Sequence, residues 1–175
     1  DEKEKAILYL KQYLEHSETR SITKYCDNPV INLLASHYGD MAKERDILFN
    51  AHIQVPGSLP IQDIDLSVLL GNLLENALDA AQSALGEKRM IKLNMICSGK
   101  MLAVTVDNGF NGTVKKSGEK YLSTKSEHRG LGLSSLSDIA AKYGGGADFR
   151  NEENVFYSSV MLSLDNTHGE KKQST

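Results

Sequence analysis

The sequence predicts an α+β domain: a mixed β-sheet with helices on one face, preceded by a helical hairpin. Three observations predict it. Apolar residues alternate with polar ones in several short stretches, the period of a half-buried strand. Longer stretches repeat their apolar residues at three- and four-residue steps, the period of a helix with one buried face. Strands and helices also do not alternate strictly, which disfavours a doubly wound parallel sheet.

Residues 3–15 set Ile7, Leu10, Tyr13 and Leu14 on one face of an amphipathic helix. After a polar loop, Asp27 or Asn28 can cap a second helix with Pro29 in its first turn. Val30, Ile31, Leu34, Tyr38, Met41 and Ala42 form its apolar face. Such a hairpin needs a partner surface, either a second chain or the chain's own domain. From Asp46 the period becomes two: Ile47, Phe49, Ala51, Ile53 and Val55 share one side of a strand that Pro56, Gly57 and Pro60 end. Asp63 or Asp65 can open a long helix through Ala84, with Gly86 beyond it. A strand hairpin follows, turning at Ser98-Gly99-Lys100 and closing on Val106-Asp107-Asn108-Gly109. Residues 110–129 show no sustained period and read as a long functional or mobile loop. Leu133, Leu136, Ile139, Ala140 and Tyr143 mark another helix, and two strands joined near Glu152-Glu153 complete the domain. Residues 1–45, 46–166 and 167–175 are thus expected as a partial helical dimerisation region, one α+β domain and a disordered tail.

The chain has 175 residues and a formal net charge of −3, so composition gives no footprint for nucleic acid. Cys26 and Cys97 lack CxxC or histidine ligand spacing and read as free thiols in a reducing compartment. No apolar run reaches transmembrane length. The chain opens on Asp1 rather than Met, and is expected to be a fragment of a longer protein.

Three polar clusters remain once the core is assigned. In GNLLENALDAA, Asn72, Glu75, Asn76 and Asp79 line one stripe of an otherwise apolar helix. Asparagine costs several tenths of a kcal/mol there relative to alanine, about 0.5 kcal/mol, so the stripe is either a solvated face or the wall of a site. Asp107-Asn108-Gly109 ends a strand and could be an ordinary turn. STKSEHRGLGLSSL ends in Gly130-Leu131-Gly132 at a helix start. No P-loop is present, and no strand precedes Gly130 as a Rossmann fingerprint requires.

In this order and spacing the three clusters, spanning about residues 46–164, resemble the GHKL ATP-binding family, which holds gyrase, MutL repair proteins, a heat-shock chaperone and sensor histidine kinases. The resemblance implies a two-layer α/β sandwich that binds ATP and Mg²⁺. Asn76 matches the metal-holding asparagine, with Glu75 and Asp79 beside it to orient metal-bound water. Asp107 matches the carboxylate that accepts the adenine amino proton, and Gly109 lets the base approach the backbone. The pattern departs at Asn111, where the family has glycine and this chain has Gly112 next. Gly130, Leu131, Gly132 and Leu133 match the second glycine box, whose N–H groups face phosphate oxygens at a helix start. Lys125 and Arg129 are candidate phosphate partners, and loop 110–129 corresponds to the ATP lid.

Within that family the hydrolases carry a general-base glutamate four residues before the metal asparagine. Asn72 stands there in this chain, as in histidine kinases. The leading segment and STKSEHRGLGLSSL are similar to peptide-sensing, quorum-sensing kinases of the AgrC type. The resemblance therefore implies a catalytic domain with Asn72 and Asn76 in its machinery, a response regulator as downstream partner, and a homodimer formed through the helical region. It also implies anchorage at the cytoplasmic side of a bacterial membrane through spans ahead of Asp1. None of the five histidines is followed by Asp or Glu as an acceptor would be, so the acceptor is expected upstream. An anti-sigma-factor-type serine kinase and a non-catalytic nucleotide-binding dimerisation module are the alternatives.

Overall fold

A computed structural model describes residues 23–112, 115–117, 120–122 and 132–165. Helix α1 spans Pro29–Glu44. Asn28 caps it: its side-chain oxygen accepts from the Ile31 N–H at 3.0 Å, while its amide donates to the Gly57 carbonyl at 3.3 Å. Pro29 fits the first turn because its missing N–H would have no helical partner there. One face of α1 buries Val30, Ile31, Leu34, Ala35, Tyr38 and Ala42.

Strand β1 (Leu48–Gln54) follows, then α2 (Asp63–Gln82), a short 3₁₀ turn at Gly86–Lys88, and the hairpin β2 (Met90–Ser98) and β3 (Met101–Gly109). Gly99, at φ 56°, turns that hairpin in the left-handed region. Two short strands, β4 (Lys115–Ser117) and β5 (Lys120–Leu122), pair with each other. They lie inside the stretch that the sequence reads as loop, being too short to show a period. Helix α3 (Gly132–Lys142), β6 (Gly146–Glu152) and β7 (Val155–Ser163) complete the order.

The main sheet runs β1-β2-β3-β7-β6, with β1 parallel to β2 and the other pairs antiparallel. Alternation divides its two faces. Ile91, Leu93 and Met95 of β2, Leu102, Val104 and Val106 of β3, and Val160 and Leu162 of β7 are buried in one core with residues of all three helices. The mixed sheet and its helix layer are the fold the sequence predicts.

The helical hairpin fares differently in its two halves. Residues 3–15 lie outside the described residues. Helix α1 packs against α2 and β1 and shares the domain's core with one of its faces. Tyr38 seats on α2 and donates its hydroxyl to the Gly71 carbonyl at 3.3 Å.

Helices α2 and α3 are tied at opposite ends by Tyr143. Its hydroxyl donates to Asp65 Oδ2 at 2.6 Å and accepts from the Gln62 N–H at 3.0 Å, and Lys142 Nζ meets the same Asp65 oxygen at 2.6 Å. Burial first, then the Asp65 hydrogen bond, pushes the Tyr143 pKa from 10.0 up to about 12. The folded state therefore keeps a proton that the unfolded chain releases. Stability should be intact below pH 10 and should fall as pH rises toward about 12. Denaturant titrations across that window should show a shallower fall for Tyr143→Phe; an unchanged slope would mean that this hydroxyl does not carry the dependence.

Candidate functional site

The polar stripe of α2 keeps away from the core. Leu70, Leu73, Leu74, Ala77, Leu78 and Ala81 are buried, Asn72, Glu75 and Asp79 are half-buried, and Asn76 is exposed. Packing of α2 against the sheet, α1 and α3 is thus complete without the stripe. Arg45, just past the end of α1, reaches its lower end: Nη1 lies 3.8 Å from Asp79 Oδ1 and donates to Gln82 Oε1 at 3.3 Å. At this exposure such an ion pair is worth about 0–1 kcal/mol. Arg45 is a cation beside the stripe that no helical or strand period marks in the sequence.

The end of β3 sets two adjacent residues on opposite faces of the sheet. Leu102, Val104 and Val106 face the helices, so strand alternation turns Asp107 the other way and Asn108 inward. Asp107 stands on the open face of the sheet, paired across strands with Lys92 and Tyr157. Burial raises its pKa, and the charges of Lys92 and Arg150 on the same face oppose that rise. Asp107 therefore faces away from the helix layer. Asn108 faces it: it is buried, and its amide donates to the Gly109 carbonyl at 2.9 Å.

Gly109 is demanded by close packing. A Cβ built on it would sit 1.7 Å from the Lys88 carbonyl oxygen and 3.3 Å from the Ala84 side chain. The turn after α2 presses directly on the end of β3, so glycine is demanded by chain packing before any ligand arrives. This contact also brings the C-terminal end of α2 to Asn108. Two residues on, Phe110 N–H donates to the Asn154 carbonyl at 3.0 Å, and Gly112 adopts φ 85°. Asn111, the departure from the glycine pattern, is exposed before that turn.

Of the second glycine cluster, Lys125, Arg129, Gly130 and Leu131 lie outside the described residues. Gly132 is the first residue of α3, and Leu133 packs against the core as the sequence predicts. Helix α3 lies against α2, so the helix start and the polar stripe belong to neighbouring elements of one layer.

Sheet, helix layer and polar stripe together define a two-layer α/β domain whose helices carry an asparagine-lined wall that packing does not need. The chain belongs to the GHKL domain family, whose model matches residues 61–163. No curated protein matches it. Among solved structures, the catalytic domain of the histidine kinase ThkA is similar at 22% identity, covering 83% of this chain and 97% of that one with a TM-score of 0.62. The Acinetobacter baumannii histidine kinase AdeS is similar at 13% identity over 93% of this chain and 77% of that one, TM-score 0.59. Full-length ShkA in complex with AMPPNP matches at 16% identity and TM-score 0.54, over 90% of this chain and 35% of that one. At these identities the likeness is one of fold: this chain has the fold of a histidine kinase catalytic domain.

Proposed function

We propose that the chain is the ATP-binding catalytic domain of a two-component sensor histidine kinase of the AgrC-like, quorum-sensing type. It binds Mg-ATP and transfers the γ-phosphoryl to a histidine upstream of Asp1, from which a response regulator takes it. The longer protein would be anchored at the cytoplasmic side of the membrane and paired through its helical region, while α1 belongs to the catalytic unit. The observation that carries this reading is Asn72 on the polar stripe, four residues before Asn76. An amide accepts no proton near neutral pH, so the stripe can hold a nucleotide without activating water to destroy it. Phosphoryl transfer needs positioning and charge neutralisation more than covalent help, which suits a wall of amides and backbone N–H groups.

The residues present fit a hydrated magnesium ion. Asn76 is exposed, leaving its amide oxygen accessible, and Mg²⁺ takes few protein ligands, keeping waters and phosphate oxygens. Among the described residues no group of three His, Cys, Asp or Glu could hold a metal by itself, so Asn76 and the nucleotide would form the donor set. Glu75 and Asp79 would orient its waters. Asn108 would meet the adenine edge from the end of β3, its amide offering both a donor and an acceptor. Lys125, Arg129 and the Gly130–Gly132 backbone would neutralise the phosphates.

Asn76→Ala should remove the magnesium-linked part of ATP binding and leave much of the adenosine contact. Titrations of wild type and variant with and without Mg²⁺ read this directly; equal magnesium dependence in both would move the metal elsewhere. The kinase reading itself is tested with γ-labelled ATP. The chain alone should not label itself, and should slowly label an added acceptor helix, since untethering the acceptor forfeits several orders of magnitude in rate. The product should be acid-labile, as phosphohistidine is. Acid-stable label would favour a serine kinase, and strong ATP hydrolysis by the wild type would count against either.

A further inference from the structure

The sheet has two edges, and they are finished differently. Strand β6 carries Asp148, Arg150 and Glu152, all exposed on the open face. Charges on an edge strand resist pairing with another strand. Strand β1, LFNAHIQ, has neither a charged residue nor a proline nor a glycine over its seven residues. Among the described residues it pairs with β2 alone. Leu48, at its start, is 61% exposed. Among the described residues, its outer row of backbone N–H and C=O groups is a template without the usual guards.

We propose that β1 is an interface between two copies of this chain, the strands pairing antiparallel about a two-fold axis at Ala51. The register follows from the side chains. With Ala51 opposite its own mate, Phe49 meets the partner's Ile53, Asn50 meets the partner's His52, and Leu48 meets the partner's Gln54. Phe49, Ala51 and Ile53 form the half-buried, helix-facing side of β1 and already pack against the core. The pairing extends that apolar layer across the axis. On the open face it sets an amide against an imidazole, with no like charges opposed. A slip by one residue would turn one copy's Phe49 and Ile53 onto the open face, so alternation selects the register. A second copy is favoured as occupant because the strand complements itself on both faces at once. One strand pair is a small interface, so the dimer is weak and concentration-dependent.

Sedimentation velocity on the 175-residue chain tests this without any nucleotide. Wild type should pass from monomer to dimer as concentration rises. N50K/H52K opposes lysines twice across the axis and should weaken association about tenfold or more. N50E/H52E should do the same, and mixing the two variants should restore association. N50K mixed with H52E should associate more tightly than N50K mixed with N50E, an order that parallel pairing would reverse. Both positions are exposed on the open face, and circular dichroism should match wild type. A monomer at every concentration overturns the proposal. So does a dimer indifferent to N50K/H52K, which would associate elsewhere, or a mixture that stays monomeric.

Discussion

Asn108→Ala should cost this domain its adenine nucleotides, while Asp107→Asn should leave ADP affinity within about twofold. The contrast follows from one strand's alternation. Asn108 is buried on the helix-facing side of β3, and Asp107 lies on the open face among Lys92, Tyr157 and Arg150. Losing a buried, geometrically fixed hydrogen-bonding pair to the base removes about 1–3 kcal/mol, roughly tenfold to a hundredfold in affinity. The alanine variant also deletes the bond to the Gly109 carbonyl, so its fold should be checked first; Asn108→Asp keeps the shape but replaces the amide donor with a carboxylate and adds a charge at a buried position, so its fold needs the same check. Asp107→Asn should not destabilise the domain, because burial already disfavours the charged carboxylate there. Calorimetric titration with ADP decides the matter. Strong loss in Asp107→Asn with full binding in Asn108→Ala would return the base to the other face of the strand.

Gly109→Ala should be strongly destabilising. Its Cβ would lie 1.7 Å from the Lys88 carbonyl oxygen and 2.7 Å from the carbonyl carbon, both backbone atoms that cannot rotate aside. Overpacking costs typically 1–3 kcal/mol, and a clash with backbone belongs at or beyond the upper end, about 3 kcal/mol or more. Against a total stability of about 5–15 kcal/mol for a domain, that is a large share. Gly71 is the internal control. It lies within α2 with nothing within 4 Å of its built Cβ, so Gly71→Ala should stabilise by about 0.8 kcal/mol through helix propensity. Urea midpoints for the two variants should move in opposite directions. If Gly109→Ala unfolds no earlier than wild type, the close approach of the 3₁₀ turn to β3 is not as described.

Much of this arrangement is legible in the residues. The apolar sides of α1, α2 and α3 stand at helical steps, and the strands of the main sheet announce themselves by alternation and by glycine at Ser98-Gly99-Lys100. The stripe Asn72, Glu75, Asn76 and Asp79 is visible as polar residues that a buried helix has no use for. What local pattern does not reveal is which partner claims an apolar face. Helix α1 carries the same period whether it meets a second chain or α2, and only the fold decides. The facing of Asp107 is legible in another way. Val106 and Asp107 are adjacent, so alternation from Leu102 and Val104 already sets them on opposite sides. The parity of the strand, not the residue type, sets the face on which that carboxylate stands. Gly109 was legible as a special position without its cause, because Lys88 is distant in sequence and meets it only in three dimensions.

The anchorage of α3 bears on how the domain can respond to a ligand. Tyr143 and Lys142 fasten the last turn of that helix to Asp65. Just beyond, Gly145 is wedged against the Met161 carbonyl, 1.8 Å from where a Cβ would be. A rod clamped at one end bends as a cantilever: its clamped end stays fixed and displacement grows toward the other. The first turn, at Gly132, is therefore the end with the longer lever arm. Asp65 belongs to the helix that carries the asparagines, so loosening the clamp acts on that helix without touching any residue of the polar stripe.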